Sequence, residues 1–295
     1  MTSAVVPPQH PFSAVVTLPR DDEAEEVHEP TANGALHWAP HLDRGYSRRM
    51  QRIAAWVADA QPEAVVVDVS VEVAVLVRLL GVPTVVVALP GERTDAAHRF
   101  VHQLADHILA AWPAELNTPS WLKPHGSKVS YVGGISRFEH RTPKAPSGGA
   151  RPLVLGGAAG PFGTDWGDLT VLGGSSGVWT DDPWPYLCDA DLVISHAGQN
   201  SIADIAAARR PAVILPQPRP FDEQLATATV LDRHGLAAVS ARWPSVEGWP
   251  ALLQRARSID PNRWRRWRVD GAAARAAAAI ESTAARCRNR LVRSA

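Results

Sequence analysis

Cysteine is nearly absent from this chain. Two thiols in 295 residues, Cys188 and Cys287, cannot build a disulfide framework or a zinc site, so a reducing compartment is expected. Long apolar runs are also missing, and nothing approaches the ~18 consecutive apolar residues of a membrane helix. The opening Met1-Thr-Ser-Ala-Val-Val-Pro-Pro has neither the basic nor the apolar region of a secretory signal. Net charge is absent too: 30 basic residues balance 30 acidic ones, which gives no support for a nucleic-acid partner. There is no Walker A motif. Gly156-Gly157-Ala158-Ala159-Gly160 has Ala158 where a dinucleotide fingerprint needs its second glycine. The expected location is cytoplasmic.

What is present is a globular α/β pattern. Hydrophobic residues make up 45% of the chain, ample for a core, and the length suits two domains. Phe12 to Leu18 reads as a strand and Pro19 to Asn33 as an acidic loop. Tyr46, Met50, Ile53 and Val57 share one helical face. Short apolar runs at 64–69, 84–89, 107–111 and 129–132 alternate with helical segments, as in a parallel sheet. A Pro-, Gly- and charge-rich stretch follows, and 141–150 is assigned as a linker between a first domain (1–140) and a second (151–270). The second domain repeats the alternation, with strands at 152–155, 169–172, 192–195, 212–215 and 236–240. In Asn262–Arg268 the spacing turns Trp264 and Trp267 inward and the arginines outward. Residues 271–295 are Ala-rich and helix-favouring.

The richest segment runs from Asp189 to Gln224. Its grammar is strand, turn, helix, strand, turn, helix. Two turns therefore leave the carboxyl ends of adjacent parallel strands, where open α/β sheets bind ligands. The first turn, His196-Ala197-Gly198-Gln199-Asn200, points a helix N-terminus outward, with Gly198 expected to take a conformation other residues resist. Helix-end amides and a partial positive charge suit a diphosphate. The helix is placed from about Ser201. Asp204, one turn in, is within reach of ribose hydroxyls, and Glu223 with Gln224 of sugar hydroxyls. A second reading stays open. Ser201 and Asp204 have capping-box spacing, His196 suits a half-buried turn, and Glu223 suits a favourable first-turn acid.

These residues resemble the donor-binding half of GT-B glycosyltransferases, family 28 in particular, the family of the peptidoglycan N-acetylglucosaminyltransferase. The family pattern is roughly Ser-Gly-x-x-Thr-x-x-Glu-Ile, then an acidic-Gln pair. It appears here as Ala197-Gly198-Gln199-Asn200-Ser201-Ile202-Ala203-Asp204-Ile205, then Glu223-Gln224. The family's Glu is Asp204, one methylene shorter. His196-Ala-Gly-Gln-Asn-Ser also resembles the His-Cys-Gly-Trp-Asn-Ser signature of plant-type transferases.

The resemblance implies two Rossmann-like doubly wound domains, the first lacking its opening strand, loop and helix. It implies a donor site of Gly156, Gly157, Ala158, His196, Ala197, Gly198, Gln199, Asn200, Ser201, Asp204, Glu223 and Gln224. Asp68, Glu92 and Arg93 would face an acceptor, and His98 or Asp95 would be the base. The closing helix would cross back onto domain one. The family's Gly-x-Gly-His loop, which carries its usual base, is not found. The shortfall is roughly 30 residues, one strand and one helix, for which a late start and a shortened relative are both expectations. The implied reaction is inverting, metal-independent hexosyl transfer from a UDP-sugar, UDP-N-acetylglucosamine included. The acceptor is left unidentified, with a lipid-linked molecule and a small molecule both open, and no cofactor is implied. Two alternatives remain: a nucleotide-sugar-binding protein without catalysis, and a sugar-nucleotide epimerase of the same fold.

Overall fold

In this computed structural model the described residues are 1–4, 6, 10–23, 25–146, 151–156, 169–173 and 177–294. Two parallel sheets dominate. The first contains β1 (Val65–Asp68), β2 (Thr84–Ala88), β3 (His107–Ala110) and β4 (Val129–Tyr131), in the order β1-β2-β3-β4. Every pairing is parallel. Helices α1 (Arg44–Ala60), α2 (Val71–Leu79) and α3 (Ala96–Leu104) precede or connect these strands. Asp43, Ser70 and Asp95 cap the three helices through their side chains. Ser70, not the exposed Asp68, therefore starts α2.

The second sheet holds β5 (Pro152–Leu155), β6 (Thr170–Leu172), β7 (Leu192–Ser195), β8 (Ala212–Ile214) and β9 (Ala238–Val239). It is also wholly parallel, in the order β6-β5-β7-β8-β9. The chain thus moves outward from β5 to β6, then returns to the other side of β5. That reversal opens a crevice between the carboxyl ends of β5 and β7. Helices α4 (Trp184–Asp189), α5 (Gln199–Ala208), α6 (Glu223–Arg233) and α7 (Gly248–Ser258) belong to this lobe.

The inner strands of both sheets are buried on two faces, as near-continuous apolar strands require. On β7, Val193 joins the main core with Ile202 and Ile205 of α5. Its neighbours Leu192 and Ile194 pack with Leu252, Leu253 and Ala256 of α7. In the first sheet, Ile108 and Ala110 face the main core, while Val85 and Leu109 meet α8 (Ala272–Ser294) through Ala276, Ala279 and Ile280. The last helix therefore closes the first sheet although it follows the second in sequence.

Three local expectations are corrected. Phe12–Leu18 is not a strand: its only ladder-type contact is an isolated bridge between Thr2 and Thr17. Helix α5 begins at Gln199, two residues before Ser201, with Gly198 as N-cap at φ −68° and ψ 140°. Gly198 is thus in ordinary extended geometry. Pro261–Trp267 is a 3-10 turn, whose period of three places Trp264 and Trp267 together inside.

The joint between lobes rests on that turn. Residues 132–146 lead from the first sheet toward the second, and Gly134 N–H donates to the Trp267 carbonyl at 3.0 Å. A Cβ on Gly134 would lie 2.3 Å from Trp267 Cδ1. Glu139 accepts hydrogen bonds from the Gly271 and Ala273 amides at 2.7 and 3.1 Å, so the connector also caps α8. Replacing Gly134 with Ala should displace the Trp267 indole and cost about 1–3 kcal/mol by overpacking. Urea unfolding followed by tryptophan fluorescence checks this; an unchanged midpoint contradicts the close packing.

Candidate active site

The base of the crevice is tied together by Ser195, whose hydroxyl donates to the Leu155 carbonyl at 2.8 Å. This joins β7 to β5 where the strand order reverses. Above it, α5 points its N-terminus into the turn. No side chain caps this helix. The Gln199, Asn200 and Ser201 amides have no acceptor among the described residues; the first backbone bond is Ile202 N–H to Gly198 O at 3.0 Å. Among the described residues, a Cβ on Gly198 would meet nothing within 4 Å. Unpaired amides and the helix dipole together favour an anion. The buried Gln199 Nε2 atom also has no partner among the described residues.

The other expected donor residues divide. His196 is buried, and its Nδ1 donates to the Leu215 carbonyl at 2.8 Å, joining the two turns. Burial pushes its imidazole below the ordinary value. Gln224 Oε1 accepts from the Ala197 amide at 3.2 Å and from the Gln217 amide at 2.9 Å. Gln224 is therefore a strut between the turns in this state. Asp204 neither caps α5 nor stands open. Its Oδ1 accepts the Ser136 hydroxyl at 2.7 Å, and Arg137 Nε lies 3.5 Å from Oδ2. Burial raises its carboxyl above the usual range, while Ser136 and Arg137 oppose this. Gly156 directly follows β5, its amide donating to Leu172 O at 2.7 Å. Gly157, Ala158 and 147–150 of the expected linker lie outside the described residues.

The first lobe meets this site at one edge. Glu92 N–H donates to the Phe221 carbonyl at 2.9 Å, and Arg93 bridges to Glu223 at 3.1 Å. The Arg93 guanidinium lies 4.5 Å from the Phe221 ring centroid. Phe221 and Asp222 both adopt left-handed backbone conformations, φ 60° and 53°, unusual for an aromatic residue. Beside them is a compact polar group. Asp95 Oδ1 is 2.9 Å from His37 Nε2, and Asp95 Oδ2 is 2.5 Å from His98 Nδ1. Burial works against the Asp95 charge, but the hydrogen bonds from His98 and His37 outweigh it and hold the carboxyl well below the usual range. Burial likewise lowers His98. The fold thus brings Glu92, Arg93, Asp95 and His98 to the second lobe; Asp68 stays exposed at the end of β1.

Residues 179–242, from just before α4 to just after β9, match the model of the glycosyltransferase family 28 C-terminal domain. The chain is a GT-B glycosyltransferase carrying a family 28 domain. Its similarity to curated relatives runs wider than that domain. The UDP-N-acetylglucosamine–N-acetylmuramyl-(pentapeptide) pyrophosphoryl-undecaprenol N-acetylglucosamine transferase of Sorangium cellulosum is 28% identical over 298 residues, covering 79% of this chain and 72% of that enzyme. The same-named Synechococcus enzyme is 28% identical over 208 residues, covering 59% of this chain and 57% of its own length. Among solved structures, MurG of Acinetobacter baumannii superposes with TM-score 0.54 at 16% identity over 81% of this chain and 80% of its own. The calicheamicin glycosyltransferase CalG4 gives TM-score 0.53 at 16% identity, with coverages of 82% and 80%.

In this transferase the residue that sequence reasoning missed is His37. It lies in an irregular stretch before α1, 58 positions from Asp95. No motif surrounds it, and only the fold brings it to the cleft. His37, Asp95 and His98 also have ligand atoms within 4.8 Å of one another, a spacing that would suit a metal ion. Arg93 Nη1, however, is 3.5 Å from His98 Nε2. A guanidinium only donates, so that nitrogen is the acceptor and the His98 proton sits on Nδ1, toward Asp95. The trio in this state is a hydrogen-bonded relay. No helix among the described residues is long and apolar enough to cross a membrane.

Behind the relay, His102 is buried and stacks on Trp121, ring centroids 5.0 Å apart. Burial, with repulsion from His98 and His125 whenever those rings are protonated, pushes it down to about 3. Unfolded histidine titrates near ~6.5. Between those values the unfolded chain binds the extra proton, so this contribution is complete above pH ~6.5 and lost as pH falls toward about 3. Urea unfolding at pH 6.5 and 4.5 should show stability falling by up to about 1.4 kcal/mol per pH unit from this residue. The His102→Gln variant should lose that part of the slope; an unchanged slope contradicts it.

Proposed function

We propose that this transferase moves a hexose from a UDP-sugar to a hydroxyl acceptor by inverting displacement without a metal ion. The observation that carries this is the uncapped α5 N-terminus at the strand-order reversal, with no described residue against Gly198 and inside the matched family 28 domain. The donor diphosphate is assigned to the Gln199, Asn200 and Ser201 amides. These groups stabilise the charge that develops on the leaving diphosphate.

Asp204 is the ribose acceptor in this reading, exchanging its Arg137 contact for the sugar diol. Glu223 and Gln224 line the hexose end, and binding there competes with Arg93 for Glu223. UDP-N-acetylglucosamine is the proposed donor because the relatives' names specify that sugar. Their pyrophosphoryl-undecaprenol acceptor makes a lipid-linked hydroxyl the first acceptor to try. Asp68, Glu92 and Arg93 are assigned to the acceptor side, on lobe one. Attack by the hydroxyl forms the new C1–O bond as the C1–phosphate bond breaks. The sugar passes through an oxocarbenium-like state, and the anomeric configuration inverts.

Thermal denaturation with UDP tests the donor half. At a hundredfold excess over Kd, stability should rise by about 2.7 kcal/mol. Asp204→Ala should weaken UDP binding about tenfold, the scale of a charge-assisted hydrogen bond pair. Arg137→Ala should bind at least as well as the parent protein. No stabilisation by UDP or UDP-N-acetylglucosamine sinks the assignment. UDP release that rises on addition of a lipid-linked N-acetylmuramyl acceptor supports transfer. Sugar isomerisation with no acceptor present would replace it with epimerisation.

A further inference from the structure

We propose that His37 is the general base of this reaction, delivered to the cleft by a strap before α1 that Glu72 clamps in place. The inference rests on the transferase reading above. Three groups could take the acceptor proton at the lobe edge, and their hydrogen bonds leave one. Asp95 is ionised and spends one oxygen on each imidazole. An ionised carboxylate only accepts, so both facing nitrogens, His37 Nε2 and His98 Nδ1, carry protons. The remaining lone pair of His98 is on Nε2, which is buried and faces Arg93 Nη1 at 3.5 Å. The remaining lone pair of His37 is on Nδ1, which has no partner among the described residues.

His37 is also correctly placed. Its ring lies 5.4 Å from the Phe221 ring of the second lobe, and its side chain is 31% exposed, so acceptor can reach it. Its position depends on Glu72. The Glu72 side chain is buried at the start of α2, with Oε1 accepting from the His37 and Trp38 amides at 2.8 and 3.0 Å. Ser70 Oγ donates to the other oxygen at 3.0 Å. In the step, the acceptor O–H proton passes to His37 Nδ1 as its oxygen bonds to C1. The C1–phosphate electron pair leaves on UDP. Asp95 stabilises the imidazolium through the Nε2 proton. Asp95 and Glu72 are positioning residues.

The test combines turnover with a tautomer measurement on the full chain. UDP release from UDP-N-acetylglucosamine is followed with a soluble lipid-linked N-acetylmuramyl acceptor. His37→Ala should lower kcat about 10²–10⁴-fold, leave UDP affinity unchanged, and recover in part with added imidazole. Glu72→Ala should lower kcat with donor KM unchanged, and Glu72→Gln should recover most of it. His98→Gln should retain more turnover than His37→Ala. Independently, ¹H–¹⁵N correlation at pH 8 should show neutral His37 protonated at Nε2. A His37→Ala kcat within threefold of the parent overturns the proposal, as does the Nδ1–H tautomer or activity abolished by EDTA and restored by Zn²⁺. A parent protein that shows the Nε2–H tautomer but never releases UDP overturns the transferase reading, and this role with it.

Discussion

Everything at the site depends on how the loop before α6 sits on the loop after β2. The Phe221 carbonyl accepts from Glu92, the Phe221 ring lies under Arg93, and Glu223 pairs with Arg93. This contact fixes the carboxyl ends of the two sheets at the cleft, while the Gly134–Trp267 joint and α8 hold the lobes elsewhere. Arg93 is buried and its charge is desolvated, which lowers its pKa, with Glu223 opposing. Such a pair is costly to break from one side because the remaining charge is left uncompensated. The contact also imposes left-handed backbone on two consecutive non-glycine residues. Strain of that kind persists only where surrounding contacts over-determine it.

The same contact sets the electrostatics of the cleft. On one side are unpaired helix-end amides, which favour an anion. On the other is an ionised carboxylate holding two imidazoles, which favours a proton acceptor. Glycosyl transfer from a diphosphate donor requires both polarities a few ångströms apart, one for the leaving group and one for the incoming hydroxyl. Arg93 joins the lobes at this edge, tied to the Pro90 carbonyl as well as to Glu223. It both closes the lobe edge and fixes the tautomer of His98.

The second lobe was largely legible in the sequence. Its strands are short apolar runs bounded by Pro and Gly, and the turns fall at the carboxyl ends that the pattern predicts. The Ala197–Ile205 motif carried the family resemblance, and the family domain match falls on it. The present partners of Asp204 and Gln224 were not legible. Ser136 is 68 positions from Asp204, and Gln224 reaches back 27 positions to Ala197. Local spacing offered a capping box for Asp204, but the helix starts two residues earlier than the motif suggested, so the carboxylate faces the connector instead.

By itself the sequence determined the alternation of strands and helices, the parallel sheets, the candidate anion-binding turn and the inward pair Trp264 and Trp267. These follow from hydrophobic period and from Pro and Gly punctuation, which are local properties. Only the tertiary structure decided strand order, hence where the crevice opens. Only it decided that the last helix covers the first sheet and that His37 shares a carboxylate with His98. Those facts depend on pairings between residues far apart in the chain. No periodicity records them, because they are set by which buried surfaces and hydrogen-bonding groups find partners once the lobes close.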